Sequence, residues 1–418
     1  MHHDMNHYII WIITFLAIAG VIIRPFKIPE AIWAVSGAVV LVVLQLISPA
    51  EAFSGIAKGT DVYLFLTGMM LLAETAREEK LFDWLAAHAT KMAKGSSTNL
   101  FLLIYLVGVV VTTFLSNDAT AVVLTPAVAA AVKAAKVEKP LPYLLICAFI
   151  ANAASFVLPI SNPANLVIYG THMPSLLQWL SQYIIPSVVA IGITYVMLYL
   201  TQRKTLKQKI ETNIPVPILS QGGKTAILGI AITAIILLVA SALDIQLGLP
   251  TAITGILTSG IVIIRARKNP WVVIKDVSWS VLPLVGGLFV LVAALSKTGI
   301  TQMLNVLLHQ SAQEAVNQTA WGSGIIIAFA CNLMNNLPVG LIAGNVMQGG
   351  HVPELVKSSV LIGVDLGPNL SITGSLATIL WLVALRREGQ SVSAWAFLKL
   401  GFLIMTVALL FTIASLWI

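Results

Sequence analysis

Four amide-rich turns interrupt the long apolar runs of this 418-residue chain, two in each half, and they restrict the fold more than any other feature. The first half carries Phe114-Leu115-Ser116-Asn117-Asp118-Ala119-Thr120 and then Ser161-Asn162-Pro163-Ala164-Asn165. The second carries Asn332-Leu333-Met334-Asn335-Asn336-Leu337-Pro338 and then Thr373-Gly374-Ser375-Leu376-Ala377-Thr378. Amides, freed backbone groups and a carboxylate are costly in hydrocarbon, so such turns are tolerated at bilayer depth only inside protein or beside a cavity. Interruptions at corresponding places in two halves are the pattern of a transporter whose substrate site lies where internal repeats meet.

The membrane setting follows from composition. The chain is 58% hydrophobic and 10% charged, which leaves too little polar surface for a water-soluble globule. Its net charge of +7 does not indicate a nucleic-acid partner, because the basic residues sit in short loops between apolar spans, where membrane topology explains them. Cys147 and Cys331 lie inside apolar runs and read as small buried residues, with neither a disulfide framework nor a thiolate metal site. The start of the chain, Met1-His2-His3-Asp4-Met5-Asn6-His7, lacks the basic region and cleavage pattern of a signal peptide, so the first span is expected to be retained. Its histidines fix no metal geometry.

A helix needs about 20 apolar residues to cross the hydrocarbon core. Ten segments are read as crossings: 8–23, 29–47, 59–76, 141–170, 176–200, 225–242, 250–264, 279–296, 355–385 and 393–417. Two further apolar stretches, 98–135 and 319–347, each have an Asn-rich turn near the middle and fit re-entrant hairpins. The expected fold is an all-α polytopic membrane protein of two inverted repeats, each of five transmembrane helices plus one re-entrant hairpin, with broken helices at the midplane. The first repeat is placed at 1–200, with its hairpin at 98–135 and its broken helix at 141–170; a basic cytoplasmic linker follows at 201–224. The second repeat is placed at 225–418, with its hairpin at 319–347 and its broken helix at 355–385.

Charge sets the orientation. With the N-terminus outside and both hairpins returning to the side they entered from, twenty of the 24 lysines and arginines fall on the cytoplasmic side, leaving Lys58, Lys297, Lys357 and Lys399 elsewhere. That is the positive-inside pattern, and it places both termini outside. An odd number of crossings per unit makes the second unit start on the opposite face, so the repeats are inverted. Asn117 and Asn335 are 218 residues apart and Asn165 and Thr378 are 213 apart, consistent with a duplication.

Hairpin tips and helix breaks place helix N-termini and free backbone groups near the midplane. Ser116, Asn117, Asn335 and Asn336 at the tips, with Ser161, Asn162, Asn165, Thr373, Gly374, Ser375 and Thr378 at the breaks, are the candidate substrate-binding residues. Amides and hydroxyls both donate and accept, which suits a neutral hydroxylated solute better than a multiply charged anion, for which arginine is the usual partner. Asp118 and Asp365 are the carboxylates inside apolar sequence, with no basic neighbour in the chain, and are the candidate proton-coupling groups. Glu74, close to Arg77, reads as an interfacial ion pair. There is no G-x-x-x-x-G-K loop, H-E-x-x-H or G-x-S-x-G, so neither ATP hydrolysis nor a hydrolase or zinc-protease site is expected. His172, His309 and His351 have no second ligand at metal spacing and read as interfacial. No cofactor or metal is expected.

At these residues the chain resembles the arsenite efflux permeases, membrane subunits of bacterial arsenical pumps, within the ion transporter superfamily that includes dicarboxylate and citrate carriers. The most specific parts are Leu81-Phe82-Asp83-Trp84, Ser116-Asn117-Asp118, Asn335-Asn336-Leu337-Pro338-Val339-Gly340 and Gly374-Ser375-Leu376-Ala377-Thr378. Dicarboxylate carriers usually show Ser-Asn-Thr at the hairpin tips; here the first tip ends in Asp118 and the second reads Met334-Asn335-Asn336. The resemblance implies export of arsenite and antimonite in exchange for protons across the bacterial cytoplasmic membrane, by an elevator mechanism, with optional docking of a soluble arsenite-stimulated ATPase. Arsenous acid is neutral at physiological pH and presents three hydroxyls, which amides and hydroxyls can hold reversibly. Thiolate chelation would call for clustered cysteines. A carrier of silicic acid or a carboxylate on the same fold is the nearest alternative, and a channel or membrane enzyme is a further one.

Overall fold

The computed structural model describes residues 2–170, 173–211, 214, 216–350 and 352–418; His172 and His351 lie outside the described residues. These residues are helical almost throughout. In chain order the helices are α1 (His2–Ile23), α2 (Glu30–Val43), α3 (Pro49–Lys58), α4 (Thr60–Glu78), α5 (Leu81–Met92) and α6 (Ser97–Phe114). Then come α7 (Asn117–Ala119), running through a π-helical turn at Thr120–Leu124 into α8 (Thr125–Ala134), followed by α9 (Leu141–Ala153), α10 (Pro163–Tyr169) and α11 (Leu176–Gln202). After the linker come α12 (Gln221–Ala242), α13 (Gly248–Ala266), α14 (Trp271–Ile274), α15 (Val281–Lys297) and α16 (Ile300–Met334). The chain ends with α17 (Asn336–Gln348), α18 (Glu354–Leu366), α19 (Leu376–Arg387) and α20 (Ala394–Ala414).

Six helices among the described residues are long and apolar enough to cross a membrane, or eight if the bent pairs α3–α4 and α15–α16, with bends of 49° and 74°, each count as one span. The two segments read as broken helices do not appear in that set because each is two short helices around an irregular centre, α9 with α10 and α18 with α19. Large apolar side chains stay exposed on the outer helices, Phe15, Val43, Ile235 and Ile264 among them, as a lipid-facing surface requires. Besides α3 and the four-residue α14, two helical stretches lie outside the expected segments. α5 and the first part of α16, which is kinked at Ala315, carry charged and polar residues such as Asp83, Lys91, Gln310 and Glu314, too many for a span.

Helices from both halves form two bundles. In one, α4 packs on α13, α2 on α15, α1 on α2 and α12 on α13. Small residues allow the closest crossing: a Cβ on Gly68 of α4 would lie 2.1 Å from the Thr251 carbonyl oxygen of α13. In the other, α6 packs on α9, α16 on α18, α11 on α20 and α10 on α17. α4 meets α10 where the bundles touch. The linker is tied to the base of α6 and α8: Ser97 Oγ donates to the Gln208 carbonyl over 2.5 Å, and Glu211 N donates to the Ala135 carbonyl over 2.9 Å.

Candidate functional site

All four amide-rich turns end in a helix whose first turn is capped by a residue of the turn itself. Ser116 Oγ accepts from Ala119 N at 3.3 Å, Asn162 Oδ1 from Ala164 N at 3.0 Å, Asn335 Oδ1 from Leu337 N at 3.3 Å and Ser375 Oγ from Thr378 N at 3.1 Å. The side chains thus satisfy backbone donors that have no water to turn to in hydrocarbon. Both hairpin tips place a non-glycine residue at positive φ just before the returning helix: Ser116 at 139° and Asn335 at 72°. Ser116 and Asn335 thus share both features, the positive φ and the cap, while Asn117 and Asn336 each follow as the first residue of the returning helix.

At the first tip, Asn117 Oδ1 accepts from Asp118 N at 2.9 Å, and Thr112 and Thr120 join hydroxyls across the two arms at 2.7 Å. Ser116 and Asp118 line a cavity of about 70 Å³ with Met69 and Glu74 of α4, Pro163 of α10 and Asp276. No lysine or arginine lines it. Ser161 Oγ donates to the Thr113 carbonyl at 3.0 Å, tying the first break to the first hairpin. Arg77 donates to Glu74, to Glu78 at 3.0 Å and to Asp276 at 2.9 Å, so the only carboxylate trio among the described residues with metal-like proximity is gathered around a guanidinium. Glu74 is the ion-pair residue that its place beside Arg77 predicts.

At the second tip, Asn335 Nδ2 donates to the Thr373 carbonyl at 3.4 Å and Asn336 N to the Gly374 carbonyl at 2.9 Å, so the second hairpin is sewn to the second break. Asn332, one helical turn earlier, completes this cluster. Its Oδ1 accepts from Ser371 Oγ at 2.7 Å, its Nδ2 donates to the Gly367 carbonyl at 2.9 Å, and its carbonyl accepts from Thr373 Oγ1 at 3.2 Å.

A third cluster joins the two halves directly. Asp365 is fully buried on α18, and its Oδ1 accepts from Asn162 Nδ2 at 2.6 Å and from Ser155 Oγ. Asn152 of α9 donates to Asn369 Oδ1 at 3.0 Å and to Thr378 Oγ1 at 3.2 Å, and accepts from Ser375 Oγ at 3.2 Å. Asn165 Nδ2 donates to the Ser155 carbonyl at 2.9 Å. Trp179 Nε1, on the Phe156 carbonyl at 3.1 Å, and Trp381 Nε1, on the Leu144 carbonyl at 2.8 Å, brace the first break and α9.

Asp365, Asn162, Asn165, Ser375 and Thr378 therefore come together, Asn335, Asn336, Thr373 and Gly374 form a neighbouring cluster, and Ser116 and Asp118 line a separate cavity, with Asn117 between them in the chain. Asn152, Ser155, Asn332, Asn369 and Ser371 were not expected in the network. Asn152 had a signal: the same 213-residue shift that relates Asn165 to Thr378 carries Asn152 onto Asp365 and Asn162 onto Ser375. The contacts obey that shift, for Asn162 bonds Asp365 while Ser375 bonds Asn152. Among the described residues no lysine or arginine is buried. Cys147 and Cys331 are free and buried, in different helices. A cavity of about 840 Å³, lined by Asp61, Tyr169, Gln182, Asp244, Glu354 and Lys357 among others, includes none of the candidate residues.

A family profile described as citrate transporter, CitMHS, matches residues 8–362. The chain belongs to this family. Among curated proteins it is 28% identical to the arsenical pump membrane protein of Escherichia coli K12 over 96% of both chains, and 24% identical to a putative arsenical pump membrane protein of Bacillus subtilis over 94% of this chain and 95% of the relative. Its fold is like that of the YdaH transporter of Alcanivorax borkumensis, with TM-score 0.57 and 14% identity over 87% of this chain and 86% of that one. It is also like that of MtrF of Neisseria gonorrhoeae, with TM-score 0.54 and 13% identity over 90% and 83%. The chain is an integral membrane transporter of an all-helical fold.

Proposed function

We propose that this member of the citrate transporter family is a secondary active transporter that exports the trivalent metalloid acids arsenite and antimonite in exchange for protons. The observation that carries the reading is the electrostatics of the polar centre. Asp118 at the first-tip cavity and Asp365 at the crossing of the two breaks each stand among amides and hydroxyls, and no lysine or arginine among the described residues is buried. A citrate trianion placed among them would meet carboxylates, and the guanidinium beside the cavity, Arg77, is already held by Glu74, Glu78 and Asp276, whereas a neutral triol finds both donors and acceptors. The 28% identity to an arsenical pump membrane protein over nearly the whole chain supports the same substrate class.

In this reading Ser116, Asn117, Ser161, Asn162, Asn165, Asn335, Asn336, Thr373, Gly374, Ser375 and Thr378 make the solute site, and Asp118 and Asp365 carry the counter-transported proton. The two halves act as inverted repeats at 1–200 and 225–418, in the bacterial cytoplasmic membrane with both termini outside. The reciprocal contacts Asn162 to Asp365 and Ser375 to Asn152 support the pairing of the halves. The bundle holding the hairpins moves against the other, and the basic linker, with the neighbouring loops, offers a cytoplasmic face to a soluble ATPase.

Everted membrane vesicles with an imposed proton gradient test the reading. Arsenite should accumulate when the gradient drives it and citrate should not. In the Asp118→Asn variant the side chain keeps its size but cannot exchange a proton, so gradient-driven accumulation should be lost while arsenite still exchanges down its own gradient. Citrate accumulation without arsenite accumulation would replace the substrate; downhill arsenite flux indifferent to the gradient would make the protein a channel.

A further inference from the structure

A shift of 213 residues carries Asn152 onto Asp365 and Asn165 onto Thr378. On one side of that pairing a bond is made: Asn152 Nδ2 donates to Thr378 Oγ1 at 3.2 Å. On the other side the corresponding atoms are Asp365 Oδ2 and Asn165 Oδ1. Both are buried, and neither has a hydrogen-bond partner. Their residues are joined through Ser155, whose hydroxyl donates to Asp365 Oδ1 and whose carbonyl accepts from Asn165 Nδ2 at 2.9 Å. Two acceptor oxygens, on residues that share Ser155 through their other atoms, cannot satisfy each other. A proton between them can.

We propose that the coupling proton rests on Asp365 Oδ2 and is donated to Asn165 Oδ1, and that Asn152 is a permanently neutral copy of this protonated centre in the opposite half. A protonated carboxyl and a primary amide have the same shape and the same pattern, one oxygen that accepts beside one atom that donates. Asn152 shows that pattern in place, accepting from Ser375 Oγ at 3.2 Å and donating to Thr378 and Asn369. Asp365 makes the accepting half of it with Asn162 and Ser155, and its donating half is vacant until a proton arrives. The crossing of the two breaks therefore holds one exchangeable proton, because one of its two equivalent positions has been fixed as an amide.

The surroundings leave the proton to these two residues. Of the titratable side chains on the helices packed around Asp365, Cys331 of α16 is near, with its thiol turned toward the Gly363 and Val364 carbonyls. Glu354 and Lys357 pair with each other at the opposite end of α18, and Tyr183 of α11 bonds Tyr169. No charged side chain among the described residues bonds Asp365.

The inference rests on the proton-coupled reading and deepens it by naming the atoms that hold the proton. Infrared difference spectra of the full-length protein in lipid vesicles, taken across a pH step, read the carboxylic-acid C=O stretch directly, whatever the solute. The expected result is a protonated-carboxyl band in the wild type that is lost in Asp365→Asn. In Asn165→Val the band should shift, because the O–H has lost its acceptor, and in Asn165→Thr, which supplies the hydroxyl found at the equivalent Thr378, it should return toward its wild-type position. Asn152→Asp should add a second band and raise the number of protons exchanged per solute. A wild-type band that survives Asp365→Asn, or no protonated-carboxyl band at any pH, overturns the assignment. A carboxylate signal that answers to Na⁺ and not to pH would place a metal cation there instead. If vesicles show no arsenite flux but the infrared pattern holds, the substrate reading fails and the proton site stands.

Discussion

Ser116 and Asn335 hold the least comfortable backbone positions in the two hairpins, with φ of 139° and 72°, and each caps the helix that returns from the tip. A non-glycine residue in that region costs on the order of 1–3 kcal/mol and persists where the surroundings over-determine it. The asparagine offsets part of this cost by accepting from Leu337 N and donating to the Thr373 carbonyl. Replacement by alanine keeps the strain and removes the cap, which is worth about 0.5–2 kcal/mol. Replacement by glycine removes both the cap and the strain. Asn335→Ala should therefore lower the melting temperature of the detergent-purified protein more than Asn335→Gly, while both reduce arsenite resistance at matched expression. An order reversed between the two would mean that the tip is not strained as its dihedral angles indicate.

Among the elements, the second break and second hairpin touch at backbone level. A Cβ on Gly374 would lie 2.5 Å from Pro368 Cα and 2.6 Å from Asn332 Oδ1, neither of which belongs to a flexible chain end. Gly374→Ala should separate Asn336 N from the Gly374 carbonyl, destabilise the protein by about 1–3 kcal/mol as overpacking does, and weaken transport further than its loss of stability explains. Unchanged melting and transport would show that the contact between hairpin and break yields freely. These elements were legible in the sequence because amides and proline in apolar runs have few tolerable places, and the tips and breaks fall where those residues stand. Asn152 and Asn332 were less legible, since an asparagine within an apolar helix is also what holds membrane helices together. α5 was missed for a different reason: with Asp83, His88 and Lys91 it has the amphipathic pattern of a helix that does not cross, and a search for spans passes over it. The pairing of Asp365 with Ser155 and Asn162 depends on how two halves cross, and neither segment declares it alone.

On the scale of the whole molecule, two bundles each draw helices from both halves, and the proposed transport cycle needs them to move against each other in the orientation that the charge pattern predicts. The orientation has its own check: tags in residues 205–215 and at Arg387 should label from the cytoplasm, and tags at residues 3 and 245 from outside. Outside labelling of the linker in intact cells would overturn the orientation and the inverted pairing together. Motion is tested where the bundles meet. Met69 of α4 and Val122 beyond the first hairpin tip line the same small cavity with Asp118, yet they belong to different bundles. Cysteines at both positions joined by a short bismaleimide would hold the hairpin bundle against the other, and the buried Cys147 and Cys331 are poorly placed to compete for the reagent. If one bundle carries the solute past the other, the cross-linked double variant should lose proton-driven arsenite accumulation, and each single variant treated with the same reagent should keep it. Transport at the uncross-linked rate through a fully cross-linked protein would mean that the bundles are fixed and that the hairpins alone open the path, a gating motion confined to the strained tips at Ser116 and Asn335.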